Sequence, residues 1–334
     1  ARQAFPMNKT ASKQYQQIVD FILGITFEIW EQRQVESILD FYGADIDVYS
    51  LEGLTHGAGM MVKQTEATLE AFPDRLLLGD DVIWSGDLAR GFSSHRITSP
   101  MTNLGPTAFG AATGKRVLTM NVADCEITDG RITREWLLRD NLALIGQLGF
   151  DTKTAARGMA ERFTPELSHW LKQEYSRVMA NPDSTVSTIG ESDMDPSEPF
   201  ARQLLKNNWL DGNKEILENL YAPYCVLHRA PVRTVSGQQE ILKHYENWRR
   251  ALPSACLSLD HVCSQPFNSN GRHIAARWSI AGTHEGPFAG LSATGKPIYI
   301  VGVTHWRVLD GRVITEWTVF DELAMLAQAL NEHS

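Results

Sequence analysis

Two aspartates stand where proton transfer is feasible. Strand alternation puts Val313, Thr315, Trp317, Val319 and Asp321 on one face, and the same parity groups Ile132, Arg134, Trp136, Leu138 and Asp140. An Asp closing a Trp-bearing face sits at the edge of an apolar pocket. Burial there disfavours the carboxylate and raises its pKa, which suits general acid–base work near neutral pH. The spacing also has a structural reading. Asp321 precedes Glu-Leu-Ala-Met-Leu-Ala-Gln and Asp140 precedes Asn-Leu-Ala-Leu-Ile-Gly-Gln, so each is an expected helix N-cap. Candidate polar partners are His228, Arg277, His284 and His305, matched by Tyr49, Arg96, Asn103 and Asp124, with Trp317 and Trp136 as apolar contacts. Only the Arg is common to both sets. Its structural alternative is a salt bridge to a carboxylate such as Glu135 or Glu316, as a lone His is ordinarily a hydrogen-bonded structural residue and duplicated Trp residues are ordinarily core.

Other chemistries lack their residues. There is no phosphate-cradling Gly-rich loop, no dinucleotide fingerprint and no Gly-x-Ser-x-Gly elbow. His-x-x-x-His spacing does not occur and the histidines do not recur between the matched sets, so neither a metal nor any other cofactor is expected. Cys125, Cys225, Cys256 and Cys263 form no Cys-x-x-Cys pair and read as free thiols of a reducing, cytoplasmic compartment. A net charge of −9 argues against nucleic acid as a partner. No apolar run approaches the ~20 residues of a membrane span, and the start of the sequence shows no hydrophobic signal region.

The matched sets belong to an internal repeat. At a constant offset of 181, Thr113-Gly114-Lys115 falls on Thr294-Gly295-Lys296, Asp129-Gly130-Arg131 on Asp310-Gly311-Arg312, Glu135-Trp136 on Glu316-Trp317, and Gln147 on Gln328. Earlier, Trp30 and Tyr42 match Trp209 and Tyr221, and Gly57 matches Gly237. A period this long means two tandem domains, 1–150 and 200–334, rather than a solenoid. In each, apolar spacing predicts helices (13–31, then around Val35–Tyr42), a short strand (45–50), a helix (57–72), four strands (75–84, 88–99, 115–127, 131–139) and a closing helix. Asp-Gly between the last two strands is a hairpin signal. Helices followed by a run of antiparallel strands make an α+β domain, its helices on one face of a curved sheet that encloses a pocket. The linker, 151–199, reads as a helix over 154–180 and an unpatterned tether over 181–199.

Gly311-Arg-Val-Ile-Thr-Glu-Trp-Thr-Val-Phe-Asp-Glu-Leu-Ala-Met-Leu-Ala-Gln328 is similar to the closing motif of the SnoaL-like polyketide cyclases. Arg277-Trp278, Gly282-Thr283-His284-x-Gly286 and Thr294-Gly295-Lys296 are also family-like and in order. Copy one keeps Thr113-Gly-Lys115 and Gly130–Gln147 but has Met101-Thr102-Asn103 in place of Gly-Thr-His. The resemblance implies two cone-shaped, nuclear transport factor 2-like (cystatin-like) α+β barrels. It implies a cofactor-independent enzyme that closes a ring by aldol condensation, or does isomerase or lyase chemistry beside a carbonyl. Asp321 and Asp140 would be the acid–base groups, with His284 or Arg277 stabilising the enolate oxygen. A non-catalytic small-molecule binder and a scaffold with a decayed copy one are the rivals. Copy two is the expected working copy, because Gly282-Thr283-His284 accompanies its Asp. The two copies are expected to pack as an intrachain pseudo-dimer, because duplication replaces a two-fold partner.

Overall fold

The computed structural model describes residues 15–181, 195–230 and 233–332. Copy one opens with helix α1 (Ile18–Thr26), which runs into a π-helical turn at Phe27–Glu31, and continues through the short α2 (Ile38–Phe41). Strands β1 (Tyr42–Ser50) and β2 (Gly53–His56) precede α3 (Ala58–Ala71). Then come β3 (Leu78–Gly86), β4 (Arg90–Thr102), β5 (Arg116–Thr128), β6 (Arg131–Arg139) and α4 (Asn141–Leu148). After the linker helices α5 (Thr152–Glu161) and α6 (Pro165–Ala180), copy two repeats the order. It has α7 (Glu198–Lys206) with a π turn at Asn207–Asp211, α8 (Lys214–Leu220), β7 (Tyr221–Ala230), β8 (Arg233–Ser236), α9 (Gln238–Ala251), β9 (Cys256–Asn268), β10 (Gly271–Thr283), β11 (Pro297–Leu309), β12 (Arg312–Phe320) and α10 (Glu322–Leu330).

Each copy builds a six-stranded sheet, β2-β1-β6-β5-β4-β3 and β8-β7-β12-β11-β10-β9. The sheets are mixed rather than wholly antiparallel. The first strand of each copy lies parallel to its last, Tyr49 opposite Trp136 and His228 opposite Trp317. That parallel pair needs a long crossover, and α3 with the three strands after it supplies one. The Asp-Gly hairpin signal corresponds to real backbone need. Asp129 and Gly130, like Asp310 and Gly311, both take positive φ, as a type I′ turn requires. The two-residue-offset edge strands β2 and β8 are too short to carry an alternation signal.

The linker departs from the expected single helix. It breaks after Glu161, and Thr164 starts α6 by accepting a hydrogen bond from the Leu167 amide, with Pro165 in the first turn. The tether expected over 181–199 falls mostly outside the described residues, and α7 already begins at Glu198.

The two sheets pack on each other. Asp124 and Arg277 form a cross-copy ion pair at 2.7 Å, Ser94 meets His305 Nε2 at 2.8 Å, and Asp81 meets His273 Nδ1 at 2.9 Å. The contacts obey the repeat's two-fold relation in part. The Arg277 guanidinium lies over the Trp136 ring at 3.4 Å, and Arg96, its counterpart, over Trp317 at 4.0 Å. Among the described residues no helix is long and apolar enough to cross a membrane, and all four cysteines are unpaired.

The interiors of the copies differ. The interior of copy two is filled by aromatic side chains. Trp209, on the π turn, meets Trp278 at 4.8 Å, Phe320 at 5.4 Å, Tyr245 at 5.5 Å and Trp248 at 5.8 Å. At the matching positions copy one has Trp30 facing Ile97, Arg139, Thr65 and Thr68. Losing that much side-chain volume leaves a void, because neighbouring backbone cannot collapse fully to fill it.

Candidate active site

The residues singled out from the sequence gather mainly at the interface between the copies, not inside a cone. Asp321 caps α10. Its Oδ1 accepts from the Leu323 and Ala324 amides at 3.0 and 3.1 Å, and its Oδ2 accepts from Asn141 Nδ2 of copy one at 2.6 Å. Asp140 caps α4 by accepting from the Ala143 amide at 3.0 Å, and its second oxygen accepts from Arg233 of copy two. Burial raises both pKa values; Glu52 adds to the rise at Asp321 and Glu322 at Asp140. Both oxygens of each carboxylate are therefore engaged. Asp321→Ala removes two cap bonds and a cross-copy bond, and should cost at least ~1–2 kcal/mol by chemical denaturation. Unchanged stability would show that these bonds do not hold α10.

His284 is buried in the β10–β11 connection, where its Nδ1 meets Thr294 Oγ1 at 3.0 Å. Asn103 does the same work in copy one, accepting from the Thr113 amide at 2.8 Å. The Gly-Thr-His and Met-Thr-Asn segments are thus equivalent loop clasps. His228 stacks on Trp317 with centroids 5.6 Å apart, and Tyr49 stacks on Trp136 at 5.4 Å and on Trp170 of α6 at 5.6 Å. His305 is held neutral, its pKa pushed down to about 3 by burial and by Arg96. The paired arginines bond Asp124 and Asp80, the latter at 3.3 Å, rather than Glu135 or Glu316. Tyr49, Trp136 and Arg277, with Trp170, Arg177 and Tyr299, border a cavity of about 320 Å³ between the copies. Its charges are mutually satisfied, for Arg177 pairs with Glu174 at 2.7 Å and Asp260 at 3.3 Å.

Alternation correctly grouped Trp136 with Leu138 and Trp317 with Val319 but misplaced Ile132 and Val313, which belong to the interiors; the face that lines the cone is the opposite one. A bulge near Ile132 shifts the parity, and Ile132, Glu135, Leu137 and Arg139 of β6 border the void of copy one. That void is a chamber of about 120 Å³ walled by Ile22, Ile25, Ile29, Trp30, Ile38 and Ile97. Thr68, Arg75, Asn121 and Arg139 also border a second chamber of about 120 Å³ that reaches Asp140. The two chambers share these four residues as common lining.

Glu135 is its chemically distinctive member. It is 5% exposed, and Oε2 is buried without a hydrogen-bond partner. Burial pushes its pKa up to about 7, with Arg139 pulling it back down. Its counterpart Glu316 is fully tied. It accepts from the Tyr221 and Tyr245 hydroxyls, from Trp306 Nε1 at 3.1 Å and from Thr318 Oγ1 at 2.7 Å. Copy one retains Tyr42 for Tyr221 but has Thr65 for Tyr245, Cys125 for Trp306 and Leu137 for Thr318, so three of those donors are gone. His95 also borders the chamber, its Nε2 buried without a partner and its pKa pushed down to about 4 by burial. The sequence pattern registered Glu135 only as a repeated identity and a salt-bridge partner; Arg75, His95 and Asn121 carried no repeat signal, because copy two has Ala255, Ala276 and Gly302 there.

A raised carboxyl pKa has a stability signature. Glu135 titrates near 7 when folded and near 4.5 when unfolded. The folded state therefore holds its proton more tightly. The stabilisation is full below about pH 4.5 and is lost as pH rises through about 7, a loss of roughly 3 kcal/mol. Subtracting the urea stability profile of Glu135→Gln from that of the wild type isolates this group. A flat difference across that window would mean that Glu135 is not desolvated.

Among the described residues no group of three or more His, Cys, Asp or Glu side chains is placed to hold a metal ion. The chain is similar in structure to IdmH from Streptomyces antibioticus (26% identity, 40% of this chain and 98% of that one, TM-score 0.34). It is also similar to AclR from Streptomyces galilaeus (27%, 37% and 90%, TM-score 0.33) and TsrD from Streptomyces laurentii (18%, 42% and 99%, TM-score 0.36). Each of these spans about one copy. No curated protein matches the chain. The family described as SnoaL-like polyketide cyclase matches twice, over residues 22–148 and 200–329, and with a cone built in each of those regions the chain belongs to that family.

Proposed function

We propose that copy one is the working domain of a cofactor-independent acid–base enzyme and that copy two is its permanently attached, solid partner. The observation that carries this reading is Glu135, a buried carboxyl with an unpartnered oxygen on the wall of the copy-one chamber and a pKa near neutrality. In its ionised form Glu135 takes a proton from a carbon beside a carbonyl, and the C–H electron pair moves to the carbonyl oxygen as an enolate. The enolate carbon then attacks a second carbonyl of the same molecule, a C–C bond forms, and the new alkoxide takes a proton back. Return of the proton at a different carbon gives an isomerisation by the same machinery. No co-reactant enters either sequence.

The size of the chambers narrows the substrate. Each chamber of about 120 Å³ is close to the ~150 Å³ apolar cavity that accepts a benzene ring, so a substrate of one or two small rings fits better than an extended polycycle. Asp140 borders the second chamber but is committed to Arg233 and the α4 cap. The test is deuterium uptake from D2O at the carbon beside the carbonyl of single-ring ketones and ketoesters, followed by NMR. Wild-type exchange that disappears in Glu135→Gln supports the assignment. Exchange that survives in Glu135→Gln and disappears in Asp140→Asn would transfer the role to Asp140.

A further inference from the structure

Arg75 sits in the turn after α3, its backbone held by Arg33, which donates to the Arg75 and Pro73 carbonyls at 2.9 and 2.7 Å. The side chain is buried and borders both chambers. Its Nε donates to Ser99 Oγ at 3.0 Å and its guanidinium lies over the Trp30 ring at 4.9 Å. Among the described residues no carboxylate forms an ion pair with it. Burial and the like charge of Arg139 pull its pKa down to about 9, so it remains a cation at neutral pH. Burying a charge without a counter-charge is costly, and the cost is ordinarily recovered by a partner.

The neighbouring charges fix what that partner is. Arg139, also shared by both chambers, pairs with Glu52, which accepts as well from Asn141 Nδ2 at 2.9 Å. Asp140 is neutralised by Arg233. That leaves Arg75 and Glu135 as the charged side chains of the chambers with no ion pair among the described residues. Neither cation has a counterpart in copy two, where Ala255 and Phe320 occupy the positions of Arg75 and Arg139. The chambers and both cations thus occur in the same copy.

We infer that Arg75 binds the carboxylate of a monoanionic substrate, the rest of which lies in the isoleucine-walled chamber beside Glu135. A planar guanidinium matches a carboxylate with two parallel N–H···O bonds, and one guanidinium without an ion-pair partner suits one carboxylate. The substrate class is thus a small cyclic or aromatic carboxylic acid carrying a carbonyl, not a neutral ester. This inference rests on the proposed site but not on its chemistry.

Benzoate and methyl benzoate are matched probes, alike in ring and size and different in charge. Calorimetry on the full chain should show benzoate binding about 10-fold or more tightly than the ester. Arg75→Met should abolish that preference while leaving the affinity for methyl benzoate unchanged, and Arg75→Lys should keep part of it. Glu135→Gln should retain the preference, since binding needs no proton transfer. Equal affinity of the wild type for the two probes overturns the inference whether or not any variant folds, and so does a preference that survives Arg75→Met. Deuterium exchange that persists in Glu135→Gln, with the preference intact, would sink the Glu135 assignment and leave Arg75 standing.

Discussion

Glu135→Gln is expected to lower turnover by ~100-fold or more while the fold holds. Gln matches Glu in shape and can still accept and donate hydrogen bonds, so the chamber keeps its size and walls. What it lacks is the ability to take and return a proton. The variant should be more stable than the wild type above pH 7, because burying a neutral amide costs less than burying a carboxylate. The rate profile adds a second check. Wild-type activity should rise with pH through about 7 as Glu135 ionises, if proton abstraction limits the rate. Activity that is retained in Glu135→Gln, or that shows no inflection near neutrality, would remove Glu135 from the chemistry.

Asp124→Ala is expected to be among the most damaging substitutions in the chain, at ~3–5 kcal/mol. Asp124 and Arg277 are each 2% exposed at the side chain and pair at 2.7 Å across the two copies. Truncation leaves Arg277 buried against Trp136 with its counter-charge gone. Burial holds the Asp124 pKa up at about 6 despite the adjacent Arg277, so desolvation outweighs the attraction between the partners. It follows that the pair itself contributes little net stability. Replacing both, Asp124→Leu with Arg277→Met, should recover most of the loss in a denaturant titration. A double variant as unstable as the single would show that the pair is stabilising in its own right.

Much of the fold was legible because its signals are local or repeated. Asp129-Gly130 and Asp310-Gly311 demand a positive-φ turn, and the constant offset between the copies carries the last three strands of each with it. The closing Asp residues were correctly open to a capping role. The side of the sheet was not legible, because period-two alternation groups residues without saying which group faces the helices. Trp136 and Trp317 suggested an apolar interior, whereas their faces pack on the other copy and on arginines. The parallel pairing of β1 with β6 also leaves no mark in the sequence, since register across a crossover is a tertiary property. One informative pattern lay in the differences between the copies. Tyr245, Trp248, Trp306 and Phe320 align with Thr65, Thr68, Cys125 and Arg139, a loss of bulk confined to one interior. A core gives up that volume only at a cost of several kcal/mol, which is reason enough to look for a ligand in copy one.

The imperfect two-fold has an evolutionary consequence. In a dimer of identical chains every substitution is made twice, so a residue that improves a pocket must also be tolerated in the partner. Joined in one polypeptide, the halves change independently. Asp124 and His305 occupy equivalent positions, yet one pairs with Arg277 and the other meets Ser94, and Glu135 and Glu316 descend to opposite fates, one exposed to a cavity and one roped to two tyrosines and a tryptophan. The solid half can absorb the loss of stability that hollowing the other half entails, and selection can act on a buried Glu and an unpaired Arg without asking the interface to accommodate a second set.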